Sequence, residues 1–169
     1  MVIALEGGRL SLRGAIDRVD QDLHGLHVID YKTGKADDYG AEVFGGGRHL
    51  QHAIYAKVAE ERLGVEVVDG QYHFPTRKGQ NQRVVYDRDE MSRLEDLLEF
   101  LLDGVVRGRF VPTDDPEDCK YCDFSDICRA RRDEYGNVSS PLAAWAEEHT
   151  GDVVSPEFEQ FQKVRSFEK

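Results

Sequence analysis

The amino-acid sequence predicts a mixed α/β fold, with a mixed central sheet flanked by helices. Three observations predict it. Apolar and polar side chains alternate through the first third of the chain, a helical repeat of apolar residues follows, and strand and helix patterns then occur once more. The predicted order is β-β-β-α-β-β-α, a β-meander followed by an α-β-β-α segment.

Period-two alternation predicts the first three strands. Residues 2–5 are apolar and are followed by a glycine turn, after which residues 9–20 keep their apolar side chains on one face. This is the pattern of a hairpin. Residues 26–32 form the third predicted strand, which ends at Thr33 and Gly34. Three such strands in succession predict an antiparallel meander.

Apolar residues at helical spacing predict the two helices. One repeat runs over residues 48–64, after a polar, glycine-rich loop at 36–47, and a second repeat of leucines covers residues 91–106. Between the helices, residues 65–75 and 83–86 have the composition of strands around a turn. A helix therefore follows the meander, and the last two strands precede the second helix.

Length and composition predict one compact domain with a tail. A chain of 169 residues with 40% apolar side chains can bury one core, so we expect a domain over residues 1–130. A tail over 131–169 carries short predicted helices at 141–149 and 156–164. No apolar run reaches the roughly 18 residues of a membrane span, and residues 1–12 have no signal-peptide pattern. We therefore expect a soluble, cytoplasmic protein without a membrane partner.

Two acidic residues and a lysine carry the sharpest chemical signal. Asp30 and Lys32 fall on one face of their strand because side chains alternate with period two. If Asp17 lies across the ladder on that face, two carboxylates create the oxygen environment that Mg²⁺ or Mn²⁺ prefers. A lysine beside them fits phosphodiester hydrolysis, since it stabilises developing negative charge. Taken alone, an Asp-x-Lys strand is most often a solvated face with a weak ion pair.

The order of three motifs carries a family resemblance. GAIDRVD at 14–20 is followed by VIDYKTGK at 28–35 and by Q-x-x-x-Y at 51–55. Over residues 8–129 this order resembles the RecB-like branch of the PD-(D/E)xK nuclease superfamily, the branch of AddB, exonuclease V and CRISPR-associated nucleases. The resemblance implies a restriction-endonuclease-like core and a metal-dependent DNA nuclease, with an exonuclease expected, that acts in DNA repair, recombination or a CRISPR-associated system. It also implies DNA and a helicase domain or subunit as partners.

The resemblance implies a role for each residue of these motifs. Asp17 and Asp30 match the family's acidic ligands for Mg²⁺ or Mn²⁺, and the carbonyl of Tyr31 is expected as a further metal ligand. Lys32 matches the catalytic lysine. Two residues of the first helix complete the expected catalytic set, Gln51 and Tyr55.

The first predicted helix also carries two histidines. The i, i+4 spacing of Gln51 and Tyr55 puts both side chains on one helical face, which the resemblance directs toward the active site and DNA. Without the strands upstream, the two residues would be expected only to be half-buried on a helix. His49 and His52 are expected to be surface or satisfied residues and are left outside the site.

Three cysteines form a second constellation. Cys119, Cys122 and Cys128 are spaced C-x2-C-x5-C, which lets three thiolates converge and suits metal ligation better than a secreted disulfide framework. An iron-sulfur cluster requires four cysteines, whereas zinc accepts three and a histidine such as His149. Three buried thiols are the plain alternative.

The resemblance implies that the cysteines close a [4Fe-4S] cluster. In that family the fourth cysteine lies upstream of the catalytic strands, and this chain contains three cysteines. We therefore expect an N-terminally truncated fragment, without that cysteine and without the metal-binding residue, usually a histidine, of the upstream helix. Such a fragment is expected to be incomplete as a nuclease.

The charge balance argues against a simple electrostatic DNA binder. The chain has 22 basic and 33 acidic residues, a net charge of −11, whereas phosphate binding favours a positive face. A catalytically inactive nuclease fold that binds DNA or a helicase is a separate, second hypothesis, and a zinc-bound interaction module is a third. The basic residues expected on a DNA-facing surface are Arg9, Arg13, Lys32, Lys35, Arg48, Arg77 and Lys78.

Overall fold

The protein contains two compact units. The computed structural model describes residues 2–5, 8–110, 113, 115–119, 122–124, 131–132, 138–140, 142, 159, 162–164 and 167. The first unit comprises Met1–Asp103 and Lys163–Lys169, and the second comprises Gly104–Gln162. The domain boundary that the sequence predicts at residue 130 stays a prediction.

The strands of the first unit form two sheets. Strands β1 (Val2–Leu5) and β2 (Gly8–Ser11) pair antiparallel as a hairpin. The second sheet contains, in spatial order, β3 (Arg18–Gln21), β4 (Leu26–Tyr31), β5 (Val67–Phe74) and β6 (Gln82–Asp87). The β3/β4 and β5/β6 pairs are antiparallel and the β4/β5 pair is parallel. The sheet is therefore mixed, which confirms the predicted fold class.

The helices follow the predicted order. Helix α1 (Gln51–Leu63) connects the parallel strands β4 and β5, as a parallel pair requires a crossover. The second predicted helix, over residues 91–106, corresponds to α3 (Leu94–Val106), and a short helix α2 (Arg88–Met91) precedes it. The Asp87 side chain accepts a hydrogen bond from the Glu90 backbone in a capping box, which fixes where α2 begins.

The predicted strand over residues 9–20 is interrupted. Its ends form β2 and β3, which belong to different sheets, so the first three strands do not form one continuous meander. Leu12 and Ile16 lie between the two strands, are half-buried and pack against the core. The sequence predicted an unbroken strand because an irregular segment that buries every second or fourth side chain has the same apolar pattern as a strand, although it pairs with no neighbouring strand.

Helix α1 packs on the sheet through small and buried residues. Ala53, Ala56 and Ala59 are buried on its inner side, and the aromatic side chains of Tyr72 and Phe74 below them are at most 1% exposed. Burying one large apolar side chain contributes about 1.5–3 kcal/mol. Gly70 lies under the helix, where a Cβ atom would come within 3.0 Å of the His52 carbonyl oxygen. A glycine there permits the close approach that positions Gln51 at the sheet end.

The described part of the second unit contains three short elements. Helix α4 (Pro116–Cys119) ends at a buried cysteine, and β7 (Arg131–Arg132) pairs antiparallel with β8 (Val138–Ser139). Cys128 lies outside the described residues. So do the predicted tail helices at 141–149 and 156–164, except residues 142, 159 and 162–164, which are helical. Within the described parts of the chain, no helix has the length and apolar character to cross a membrane.

Candidate active site

The register of β3 and β4 brings Asp17 and Asp30 together. Arg18 pairs with Ile29 in the antiparallel ladder, and continuing that register by one residue places Asp17 opposite Asp30. Residues directly opposite each other in such a ladder project from the same face. The Asp17 carboxylate also accepts a hydrogen bond from the Tyr31 backbone N–H at 2.9 Å. The two predicted acidic ligands therefore lie on one face at the end of β4.

Lys32 completes the cluster just beyond β4. Its ammonium nitrogen lies 2.6 Å from Asp30 Oδ2 and donates a hydrogen bond to Gln51 Oε1. The nitrogen is also 5.4 Å from the centroid of the buried Tyr72 ring. Its backbone N–H donates to the His73 carbonyl at 2.8 Å, which extends the parallel β4/β5 ladder and holds the lysine in place.

Gln51 and Tyr55 continue the polar chain along α1. Gln51 is the first residue of the helix, and its amide nitrogen donates to the Tyr55 hydroxyl oxygen at 3.4 Å. Because the same amide accepts from Lys32, contacts run without a break from Asp30 to Tyr55. The structure thus brings together all five residues that the sequence predicted as catalytic, and their catalytic roles stay predictions.

The donor set at Asp30 fits a hard divalent cation. Asp30 is 4% exposed, and its Oδ2 accepts no well-aligned hydrogen bond from the described residues, although the Lys32 ammonium is close. Buried carboxylate oxygens usually have such partners. Asp17, Asp30 and the Tyr31 carbonyl are oxygen donors, which Mg²⁺ and Mn²⁺ prefer. The described residues contain no group of three or more His, Cys, Asp or Glu side chains that could hold a metal, so water and phosphate would complete the coordination.

The opposite face of β3 and β4 carries a separate ion pair. Arg18 Nε donates to Asp20 Oδ1 at 2.7 Å, and Arg18 Nη1 donates to the Tyr31 hydroxyl at 3.3 Å. The Asp20 carboxylate raises the pKa of Arg18, and the guanidinium lowers the pKa of Asp20. Both groups are solvent-exposed, so water screens the pair and it adds little to stability. Side-chain alternation directs these two charges away from Asp17 and Asp30.

The two histidines near the start of α1 pack among aromatic rings. His52 is fully buried, and burial lowers its pKa to about 3, so the ring is neutral. Its Nδ1 lies 3.1 Å from the Tyr72 hydroxyl, and its Nε2 has no hydrogen-bond partner among the described residues. His49 stacks on Tyr39 with ring centroids 4.0 Å apart. His52 is therefore a core residue, whereas His49 is half-buried in the same group of aromatic rings.

Two features beside the cluster were not predicted from the sequence. Tyr72 lies near the Lys32 ammonium, and no motif marks it because it comes from a strand distant in sequence. A cavity also adjoins Gln51 and Tyr55, lined in part by residues of the segment between β2 and β3. That segment was predicted to be part of a continuous strand, and a strand pattern gives no indication that its residues line a cavity.

Comparisons with known proteins identify the family of the chain. The sequence model of the PD-(D/E)XK nuclease superfamily matches residues 1–129. The Gene 69 protein of Mycobacterium phage D29 is 31% identical over 131 residues, which are 75% of this chain and 45% of the phage protein. The chain thus spans less than half the length of that curated relative, and no solved structure matches it. A mixed sheet flanked by helices is consistent with a restriction-endonuclease-like core. The chain belongs to the PD-(D/E)XK nuclease superfamily.

Proposed function

We propose that this chain is the core of an Mg²⁺- or Mn²⁺-dependent nuclease that hydrolyses phosphodiester bonds in DNA. One observation carries the proposal. The β3/β4 register places Asp17 opposite Asp30, and Lys32 lies within 2.6 Å of the Asp30 carboxylate. Carboxylates and an ammonium group on one face are the groups that a metal-assisted attack on phosphate requires.

Each residue of the cluster has a separate task in this proposal. Asp17, Asp30 and the Tyr31 carbonyl would hold the cation, which supplies Lewis-acid stabilisation of the phosphate and a more acidic water. The Lys32 ammonium stabilises negative charge that develops on the scissile phosphate. Gln51 holds Lys32 by its amide oxygen and is itself held by the Tyr55 hydroxyl. The helix thereby fixes the direction in which the lysine points.

Cleavage of end-labelled DNA by the full chain, with and without Mn²⁺, tests the proposal. Asp30→Asn and Lys32→Met should each lower the rate by about 10²–10³-fold, the usual cost of removing one such electrostatic group. Lys57→Met is the matched control, because Lys57 also lies in an ion pair, with Glu95, away from the cluster. Full activity in both site variants would reject the assignment of Asp30 and Lys32.

An inactive nuclease fold that binds DNA or a helicase is the second candidate. The small number of acidic ligands favours this candidate. The described residues bring together only two carboxylates, Asp17 and Asp30, and no third acidic or histidine ligand. The two candidates differ in one measurement. An inactive fold binds DNA but leaves it uncleaved at saturating Mn²⁺, whereas a nuclease cleaves it and loses cleavage on Asp30→Asn.

We further propose an exonuclease of the RecB-like branch that acts with a helicase domain or subunit in DNA repair, recombination or a CRISPR-associated system. The support is the order of the three sequence motifs, GAIDRVD, VIDYKTGK and Q-x-x-x-Y. Linear and circular forms of the same single-stranded DNA separate the modes of cleavage. An exonuclease degrades the linear form alone, and cleavage of the circle would establish an endonuclease.

We also propose that the three cysteines bind a [4Fe-4S] cluster. Cys119 is buried at the end of α4, and the Cys122 backbone N–H donates to the Cys119 carbonyl at 3.4 Å, so both lie within one turn. With Cys128 they supply three thiolates. A [4Fe-4S] cluster is usually held by four cysteine thiolates, so a cluster at this site requires a fourth ligand in addition to these three cysteines. Zinc held by three thiolates and a histidine is the competing outcome, and analysis for iron, sulfide and zinc distinguishes the two.

A further inference from the structure

A cavity of about 410 Å³ opens beside the candidate active site. Gln51 and Tyr55 line it, so the cavity and the polar chain from Lys32 share two residues. Its volume is in the range of small-molecule pockets. Much of the remaining wall is formed by half-buried aliphatic side chains, those of Leu12, Ile16, Ile54 and Val58.

We propose that this cavity receives the base of a nucleotide next to the scissile phosphate, and that the preferred substrate is therefore single-stranded DNA. The inference rests on the proposed function, because the site beside Asp30 and Lys32 must hold a phosphate for the neighbouring base to reach the cavity. A nucleobase presents a flat, largely apolar surface to aliphatic and aromatic walls. Such contacts hold single strands without reading their sequence.

The charges at the cavity favour a nucleic acid over an apolar peptide. Arg13 and Arg62 line it from opposite walls, one on the segment before β3 and one on α1, and both are exposed. The chain as a whole carries a net charge of −11. The charged side chains that line the cavity are nevertheless both positive. Arginines there can bind the phosphates that flank the inserted base.

The apolar character of the wall also predicts a preference for single strands. In a duplex each base is paired and stacked, so a base can enter a protein cavity only after it leaves the stack. In a single strand the base is not paired, so its entry into the cavity costs only the loss of stacking. The geometry thus predicts tighter binding of a single strand than of a blunt duplex of the same length.

Gly14 provides a way to fill the cavity without touching the metal ligands. A Cβ atom at this position would have only Tyr55 atoms within 4 Å, the nearest at 3.9 Å, and Gly14 lines the cavity. Gly14→Leu therefore adds a side chain that projects toward Tyr55 without a backbone clash. Val58→Phe fills the space from the α1 wall and serves as the second variant if Gly14→Leu does not fold.

The experiment measures binding of fluorescein-labelled oligothymidine by anisotropy in EDTA, so that no hydrolysis occurs. The comparison strand has the same sugar-phosphate backbone but abasic residues. The wild-type full chain should bind oligothymidine about tenfold more tightly than the abasic strand, and Gly14→Leu should bind both equally. Arg62→Gln should weaken binding of both strands and lower the salt dependence by about one ion. Arg83→Gln, on the opposite sheet face, is the matched control and should change neither.

Failure of this inference can be distinguished from failure of the proposed function. If DNA is cleaved with Mn²⁺ but the wild type binds the two strands equally, the base cavity is refuted and the nuclease stands. If the base preference is found and Gly14→Leu abolishes it, while Mn²⁺ produces no cleavage, the cavity stands as a base-binding site on an inactive fold and the nuclease is refuted. Tighter binding of the blunt duplex than of oligothymidine would also overturn the inference.

Discussion

Replacing Lys32 with methionine is expected to destabilise the metal-free protein by about 2 kcal/mol. The lysine ammonium lies 2.6 Å from Asp30 Oδ2, and the two side chains are 25% and 6% exposed. Removing one member of a fully buried pair costs about 3–5 kcal/mol, whereas an exposed pair contributes at most about 1 kcal/mol. A pair with one buried member and one partly exposed member falls between these limits. Most of the loss comes from the Asp30 carboxylate, which remains buried without its cation.

Divalent metal should restore much of that stability. A cation bound beside Asp30 neutralises the carboxylate that Lys32→Met leaves alone, and it binds the folded state only. A ligand at about a hundredfold excess over its Kd stabilises a protein by about 2.7 kcal/mol. Lys32→Met should gain more stability from Mn²⁺ than the wild type does, because in the wild type the Lys32 ammonium repels the cation, so the difference in stability seen in EDTA should shrink when Mn²⁺ is added. Cleavage stays impaired because the ammonium is missing from the phosphate site.

Urea unfolding followed by circular dichroism measures both effects. Wild type, Lys32→Met, Asp30→Asn and the double variant form a double-mutant cycle, and the coupling free energy in EDTA should be about 2 kcal/mol. The double variant should be more stable than Lys32→Met, because it no longer buries an unpaired charge. A coupling near zero, or a Lys32→Met protein as stable as wild type in EDTA, would refute the reasoning.

Three further outcomes are expected from the local structure. Asp69 accepts from the His27 ring at 2.7 Å and raises its pKa, so His27 contributes stability that is complete below about pH 6.5 and is lost as pH rises through the raised folded-state pKa. His27→Gln should therefore flatten the pH dependence of the urea midpoint above about pH 6.5, and an unchanged pH dependence would contradict this. Gly25→Ala should cost about 1–3 kcal/mol, because φ is +145° and a Cβ would lie 2.4 Å from the Glu66 carbonyl oxygen; an unchanged thermal midpoint would count against it. Asp87→Ala removes the cap of α2 and should cost about 1 kcal/mol in urea unfolding, whereas no loss would show that the cap is dispensable.

The sequence was sufficient to predict which acidic and basic residues share a face. Period-two alternation alone places Asp30 and Lys32 on the same side of β4, and the structure has both beside α1. The helical spacing of Gln51 and Tyr55 likewise places them together, and their side chains are in contact. Both predictions depend only on local geometry, which the order of residues determines directly.

Other parts of the fold depend on contacts that are distant in sequence. The pairing of β4 with β5 is parallel and spans the whole of α1, so no local pattern specifies it. The position of Tyr72 near Lys32 follows from that pairing. The burial of His52 follows from how closely α1 approaches Gly70, and a histidine in an amphipathic pattern gives no sign of it. The break between β2 and β3 was missed for a different reason, because the spacing of Leu12 and Ile16 also fits an unbroken strand.

Titration of the full chain with Mn²⁺ by isothermal calorimetry tests most directly whether Asp17 and Asp30 share a cation. Wild type should bind Mn²⁺, and Asp17→Asn and Asp30→Asn should each weaken binding by at least about tenfold, because each removes one charged oxygen ligand. Asp20→Asn, on the opposite face of the sheet, should bind as wild type does. Absence of Mn²⁺ binding by the wild type, or equal affinity in all four proteins, would contradict the proposed metal site.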